Sequence, residues 1–178
     1  MVVAGVLGWV NSITKDKIAA ITWEKTVTAM KEVISADDFS DAMDLTDDMT
    51  AAATAQGGTL AAVYQAQSGG QPIGYAINVE ASGSQGTISM MVGIDMDGAV
   101  TGVSIVTNSE TSGIGSKVMG NEPLTNGTGV LDQFIGKSAA DGVLSVGSNV
   151  DAITGATVST KGVTTGVNAA LAVAGVIG

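Results

Sequence analysis

Asp151-Ala152-Ile153-Thr154-Gly155-Ala156-Thr157-Val158-Ser159-Thr160 is the stretch from which the chain is read outward. The hydroxyls of Thr154 and Thr157 stand on either side of a Gly155–Ala156 pair too small to crowd an incoming group, and Asp151 lies just upstream. Beyond them Val163, Val167, Leu171 and Ala174 recur at helical spacing, which predicts a closing helix over 160–177. The first N–H groups of a helix have no partner within it and its dipole is positive there, a combination that suits a phosphate. The plainer reading is a small-residue turn that caps a helix. Alone, the stretch leaves both open.

Composition narrows the choice. At 178 residues the chain is long enough to bury a substantial core, and it reads as one domain. Lys and Arg number 7 against 17 Asp and Glu, a net charge of −10, so the clustered cations that a nucleic-acid backbone demands are missing. Aromatics make up 3%, too few for stacking platforms on single strands. There is no Cys and no His. That excludes Cys-ligated Fe–S clusters, thiol redox chemistry, zinc sites built on Cys or His, and His-based triads. Any redox role therefore rests on a bound organic cofactor. A metal would be confined to carboxylate and carbonyl oxygens. Asp37, Asp38, Asp41, Asp44, Asp47 and Asp48 cluster in that way, but the glycine and terminal Glu of an EF-hand loop are missing, and the run reads as a solvated acidic loop. No metal site is assigned.

Residues 1–10 are apolar and uncharged, about half the ~20 residues that a spanning helix needs, and they lack the basic start and cleavage site of a signal peptide. They are either an element end packed on the core or the tail of a membrane anchor. Over 17–35, Ile18, Ile21, Val27, Met30, Val33 and Ile34 approximate one helical face, which predicts an amphipathic helix. Strand-like segments follow at 60–67, 73–81, 87–94 and 99–107, parted by turns at Gly69-Gly70, Gly83 to Gly86 and Asp97-Gly98. They predict an antiparallel meander. A short helix is expected over 129–135 and a strand over 142–147. The fold class is α+β: a twisted antiparallel sheet with packed helices, in a single domain.

A second loop carries chemistry: Ser109-Glu110-Thr111-Ser112-Gly113-Ile114-Gly115-Ser116-Lys117. It is not a phosphate-binding P-loop, because Lys117 follows Ser116 with no glycine at the required offset. A dinucleotide fingerprint fails too, since residue 118 is Val. Gly113 and Gly115 let backbone approach a flat ring or a phosphate. Thr111 and the loop N–H groups are candidates to hydrogen-bond ring carbonyls, and Lys117 to compensate anionic charge.

The two motifs together resemble one family. Asp151-x-x-Thr154-Gly155-Ala156-Thr157 resembles the flavinylation motif of the FMN-binding domain found in the G subunit of Rnf-type electron transport complexes and the C subunit of Na⁺-pumping NADH:quinone reductases. Glu110-Thr111-x-Gly113-Ile114-Gly115 is similar to that family's loop beside the flavin, with Ser112 where Pro is frequent. Thr14-Lys15-Asp16-Lys17-Ile18-Ala19 resembles the segment that follows the family's single transmembrane helix. The resemblance implies a remnant of an N-terminal anchor at 1–13 and an FMN-binding domain at 14–178. It implies FMN held covalently through a phosphoester to Thr157, with Asp151, Thr154, Gly155 and Ala156 read by a flavin transferase of the ApbE type. The chain would be a non-catalytic electron carrier in a membrane complex that couples ferredoxin:NAD⁺ electron flow to ion movement, with its flavin domain on the extracytoplasmic side. Two alternatives stand beside it: another extracytoplasmic flavin system, such as a quinone-reducing pump or an extracellular reductase, and an acidic binding module without a cofactor.

Overall fold

The computed structural model describes residues 23–110 and 113–177. Residues 1–13, and the start of the helix expected over 17–35, lie outside them. Helix α1 occupies 23–33 of the described chain. It is followed by β1 (Asp38–Phe39), α2 (Asp47–Ala55), β2 (Thr59–Ser68), β3 (Gln71–Ser82), β4 (Thr87–Asp95), β5 (Val100–Asn108), α3 (Ile114–Met119) and α4 (Thr157–Ile177). Single 3₁₀ turns form at Asp132–Phe134 and Ala139–Asp141. The strands make one antiparallel sheet in the order β1-β2-β3-β4-β5. The expected meander and the α+β class are both present, because the turn residues that announced them do local work. Ser68 pairs with Gln71 across a two-residue loop, and Gly69 and Gly70 take φ of +57° and +77°, the left-handed pair that such a hairpin requires.

Side-chain alternation then sorts the sheet into two cores. On one face Tyr64, Ala66, Ala76 and Met91 cluster with Ala29, Met30 and Val33 of α1. On the other, Val63, Ile77, Val79, Met90 and Val92 cluster with Met49 and Ala53 of α2 and with Val163, Val167, Ala170 and Val173 of α4. Covered on both sides, β4 is buried without interruption from Ile88 to Ile94. Register shifts in the β2–β3 and β4–β5 pairs add unpaired residues that increase twist and curl the sheet.

Helix α4 is long and apolar enough to cross a bilayer, yet here it is a core helix. Small residues let it lie close to the sheet. A Cβ at Gly162 would stand 2.6 Å from the Ser82 carbonyl oxygen, and one at Gly166 would stand 2.5 Å from the Met90 sulfur.

Three segments depart from the sequence expectations. The acidic run is not one loop: it holds β1 and ends in the first turn of α2, whose start is fixed by Thr46, its hydroxyl accepting the Met49 N–H at 3.2 Å. Only Met49 and Ala53 of that helix are buried, so its apolar signal is two residues long and follows directly on the run of six aspartates. Residues 129–135 make a single 3₁₀ turn and no α-helix. Asn121 accepts the Leu131 N–H at 2.7 Å, which takes over the role of a helical carbonyl. Residues 142–147 form no strand. The peptide groups of Leu144 are bound by a side chain instead: its N–H donates to Asn168 Oδ1 and its carbonyl accepts from Asn168 Nδ2, both at 2.9 Å.

Candidate functional site

The Asp151–Thr160 stretch folds as a turn that feeds directly into α4. The Ala156 N–H donates to the Ile153 carbonyl at 2.8 Å, closing a turn over Thr154 and Gly155. Gly155 has φ of +83°, as the third position of a type II turn requires. The Ala156 carbonyl then accepts the Thr160 N–H at 2.9 Å and the Thr160 hydroxyl at 3.0 Å, which makes Ala156 the cap of the helix. Helix α4 therefore starts at Thr157, three residues before the periodicity indicated. Ala156 is buried, while Thr154, Gly155 and Thr157 are exposed. The Thr157 hydroxyl thus stands in solvent at the positive end of a long helix, beside first-turn N–H groups that have no partner within it.

The second motif arrives at the same place. Glu110, just past the end of β5, accepts the Ser84 and Gln85 N–H groups on Oε1 at 2.7 and 3.1 Å. Its Oε2 accepts the Ser159 hydroxyl at 2.7 Å. One carboxylate thereby ties the β3–β4 turn to the first turn of α4. Partial burial pushes the Glu110 pKa up, but the Ser159 hydroxyl and the Gln85 and Ser84 amides together outweigh it and hold the group below the usual carboxylate range. Gly115 leaves room for this junction: a Cβ there would lie 2.5 Å from Glu110 Oε2 and 3.1 Å from the Ser159 oxygen. Gly155 packs on Ile114, whose Cδ1 would be 3.1 Å from an added Cβ.

Between the motifs runs a shallow cleft of ≈240 Å³, lined by Glu110, Gly113, Ile114 and Gly115 on one side and by Gly155, Ala156, Val158 and Ser159 on the other. Ile114 is 49% exposed and Val158 57% exposed, so the cleft offers two apolar side chains among glycines and polar groups. A larger groove of ≈450 Å³ lies between α1 and β5 and contains none of the residues marked by the sequence. Of those residues, Thr111 lies outside the described chain. Lys117 does not line the cleft; it sits in α3 and pairs with Glu122 at 3.6 Å. Asp151 is exposed at the far end of the turn, its peptide N–H and carbonyl both bound by the Gln133 amide at 2.8 and 2.9 Å. Ser84, Gln85, Gln133, Val158 and Ser159 escaped the sequence reading. Only Val158 and Ser159 carried a signal, as neighbours of Thr157; the others come from distant turns.

The cleft is smaller than the several hundred Å³ of pockets that bury a cofactor. Its chemistry fits a flat ring lying partly exposed, with a phosphate near the start of α4. A family model described as FMN-binding domain matches residues 83–172, which span β4, β5, the cleft and most of α4. Among curated relatives, the G subunit of the Na⁺-translocating ferredoxin:NAD⁺ oxidoreductase complex of Acetobacterium woodii is 33% identical, over 97% of this chain and 84% of its own length. The G subunit of the ion-translocating oxidoreductase complex of Methanosarcina acetivorans is 29% identical over 96% of this chain and 86% of its own length. A proton-translocating counterpart from Clostridium ljungdahlii is 34% identical over 61% of this chain and 57% of its own length. On the matched sheet, cleft and helix, this chain belongs to the FMN-binding domain family.

Proposed function

We propose that this chain is the FMN-carrying G subunit of a membrane-associated, ion-translocating ferredoxin:NAD⁺ oxidoreductase of the Rnf type, with the cofactor joined through its phosphate to Thr157. The observation that carries the reading is the exposed Thr157 hydroxyl at the head of α4, between Ala156 and Val158, which line the open cleft of ≈240 Å³. Tethering removes the need to bury the cofactor, because capture becomes intramolecular. The names of the relatives supply the rest of the assignment.

Attachment balances as a phosphoryl transfer. The Thr157 Oγ–P bond forms as the pyrophosphate bond of FAD breaks, AMP leaves, and the hydroxyl proton is released. A flavin transferase of the ApbE type would catalyse it with Mg²⁺, reading Asp151, Thr154, Gly155 and Ala156. The tethered phosphodiester keeps one negative charge, which the α4 N-terminus stabilises. Lys161, one turn along the same helix face, is the nearby cation in sequence and is exposed. Ile114 and Val158 would flank the ring, and Glu110 would hold the two walls together. When bound, the flavin supplies the reversible electron uptake that side chains of this composition lack. An N-terminal anchor and an extracytoplasmic domain belong to the same reading.

The test is made in the native membrane complex. With Thr157→Val, ferredoxin-dependent NAD⁺ reduction is expected to fall to background while the other subunits stay assembled. Undiminished activity in that variant would contradict the assignment.

A further inference from the structure

Gln133 lies in the 3₁₀ turn Asp132–Phe134, remote in sequence from the motif, and its side-chain amide is almost fully used. Nε2 donates to the Val130 carbonyl at 2.8 Å and to the Asp151 carbonyl at 2.9 Å, while Oε1 accepts the Asp151 N–H at 2.8 Å. One side chain thus grips the Asp151 peptide in both directions, as a neighbouring strand would. The grip has a firm base. Phe134, the next residue, is fully buried, and the Gln133 N–H donates to the Gly129 carbonyl at 3.1 Å.

The stretch is therefore held at three points: Asp151 by Gln133, Ile153 to Ala156 by the turn, and Ser159 by Glu110. Between the outer two, Asp151, Thr154 and Thr157 are all exposed. An enzyme that reads the Asp151 carboxylate and modifies the Thr157 hydroxyl meets them at a fixed separation, so it need not order a flexible strand at its own expense. We infer that Gln133 is a positioning residue for modification of Thr157, acting by fixing the Asp151 peptide. The inference rests on the reading of Thr157 as the flavinylated residue. Gln133 touches neither the hydroxyl nor the cleft.

The experiment pairs transfer kinetics with amide exchange on the unmodified full chain, for wild type, Gln133→Leu and Gln133→Met. Transfer is followed with FAD, Mg²⁺ and a flavin transferase shown to be active on a control protein. Gln133→Leu is expected to need about tenfold more acceptor protein for half-maximal rate, with the saturated rate little changed, as loss of preorganisation dictates. Its Asp151 amide is expected to exchange at least about tenfold faster, with β4 amides as protected as in wild type. If Gln133→Leu fails that β4 control, Gln133→Met is read in its place, since it keeps the length of the side chain but supplies neither the amide donor nor the amide acceptor that hold Asp151. Wild-type concentration dependence in a variant whose Asp151 amide is loosened overturns the inference. So does an Asp151 amide that exchanges at the wild-type rate. A wild-type chain that gains no flavin overturns the reading of Thr157 itself, a result distinct from the other two.

Discussion

Glu110 shows how a single side chain sets the geometry of the site. Its carboxylate collects a hydroxyl from α4 and two amides from the β3–β4 turn. Glu110→Gln keeps the shape but replaces one acceptor oxygen with a donor, so at least one of those bonds is lost. After discounting for solvent screening, the cost is about 1 kcal/mol near neutral pH, roughly 2–4 °C in melting temperature. Because the folded pKa is depressed, this stabilisation is present above the unfolded value and is lost as pH falls through the folded one. Melting curves from pH 7 downward are therefore expected to converge for wild type and Glu110→Gln below the usual carboxylate range. A gap that stays constant would show that the Glu110 charge does not stabilise the fold. Gly155 makes a second prediction at this scale. Its φ of +83° and the nearby Ile114 methyl leave no strain-free place for a side chain, so Gly155→Ala costs about 1–2 kcal/mol in chemical denaturation.

At the scale of elements, α4 joins the fold to the site. Its face toward the sheet is kept small at Gly162 and Gly166, and its head carries Thr157. Ala in place of Gly ordinarily favours a helix by up to about 1 kcal/mol. At Gly162 that gain is outweighed, because the obstructing atom is the Ser82 backbone oxygen, which cannot swing aside. Overpacking of this kind costs about 1–3 kcal/mol. Gly175, on the same helix, has nothing within 4 Å of an added Cβ. Urea titrations are thus expected to show Gly162→Ala less stable than wild type and Gly175→Ala more stable by about 0.5–1 kcal/mol. The same sign at both positions would mean that α4 does not lie as close to the sheet as described. Asn168 is the buried polar residue that fastens the 142–147 segment to α4. Asn168→Leu strands the N–H and the carbonyl of Leu144, at a cost of about 2–4 kcal/mol in the same titration.

Across the whole molecule, legibility followed the range of the interactions. Four strands of the meander could be read because alternation and Gly-Gly or Asp-Gly turns are local signals, and no end of those four moved by more than two residues, whereas the two-residue β1 gave no such signal. Helix α2 was hidden because a cap and two core residues are a weak signal beside six aspartates. The 142–147 segment looked like a strand because nothing local reveals that Asn168, a helix away, takes its peptide groups. The site divides in the same manner. Thr157, Glu110 and the glycines stood in contiguous motifs, whereas Ser84, Gln85 and Gln133 join it only through tertiary contact. Lys117 shows the converse, a motif residue whose charge is committed to Glu122 and not to the cleft. The measurement that tests the central claim most directly is the intact mass of the denatured chain after co-expression with a flavin transferase, for wild type and Thr157→Val. A gain equal to FMN less one water is predicted in wild type and none in the variant. An equal gain in both, or no gain in wild type with a transferase active on a control protein, would contradict attachment at Thr157.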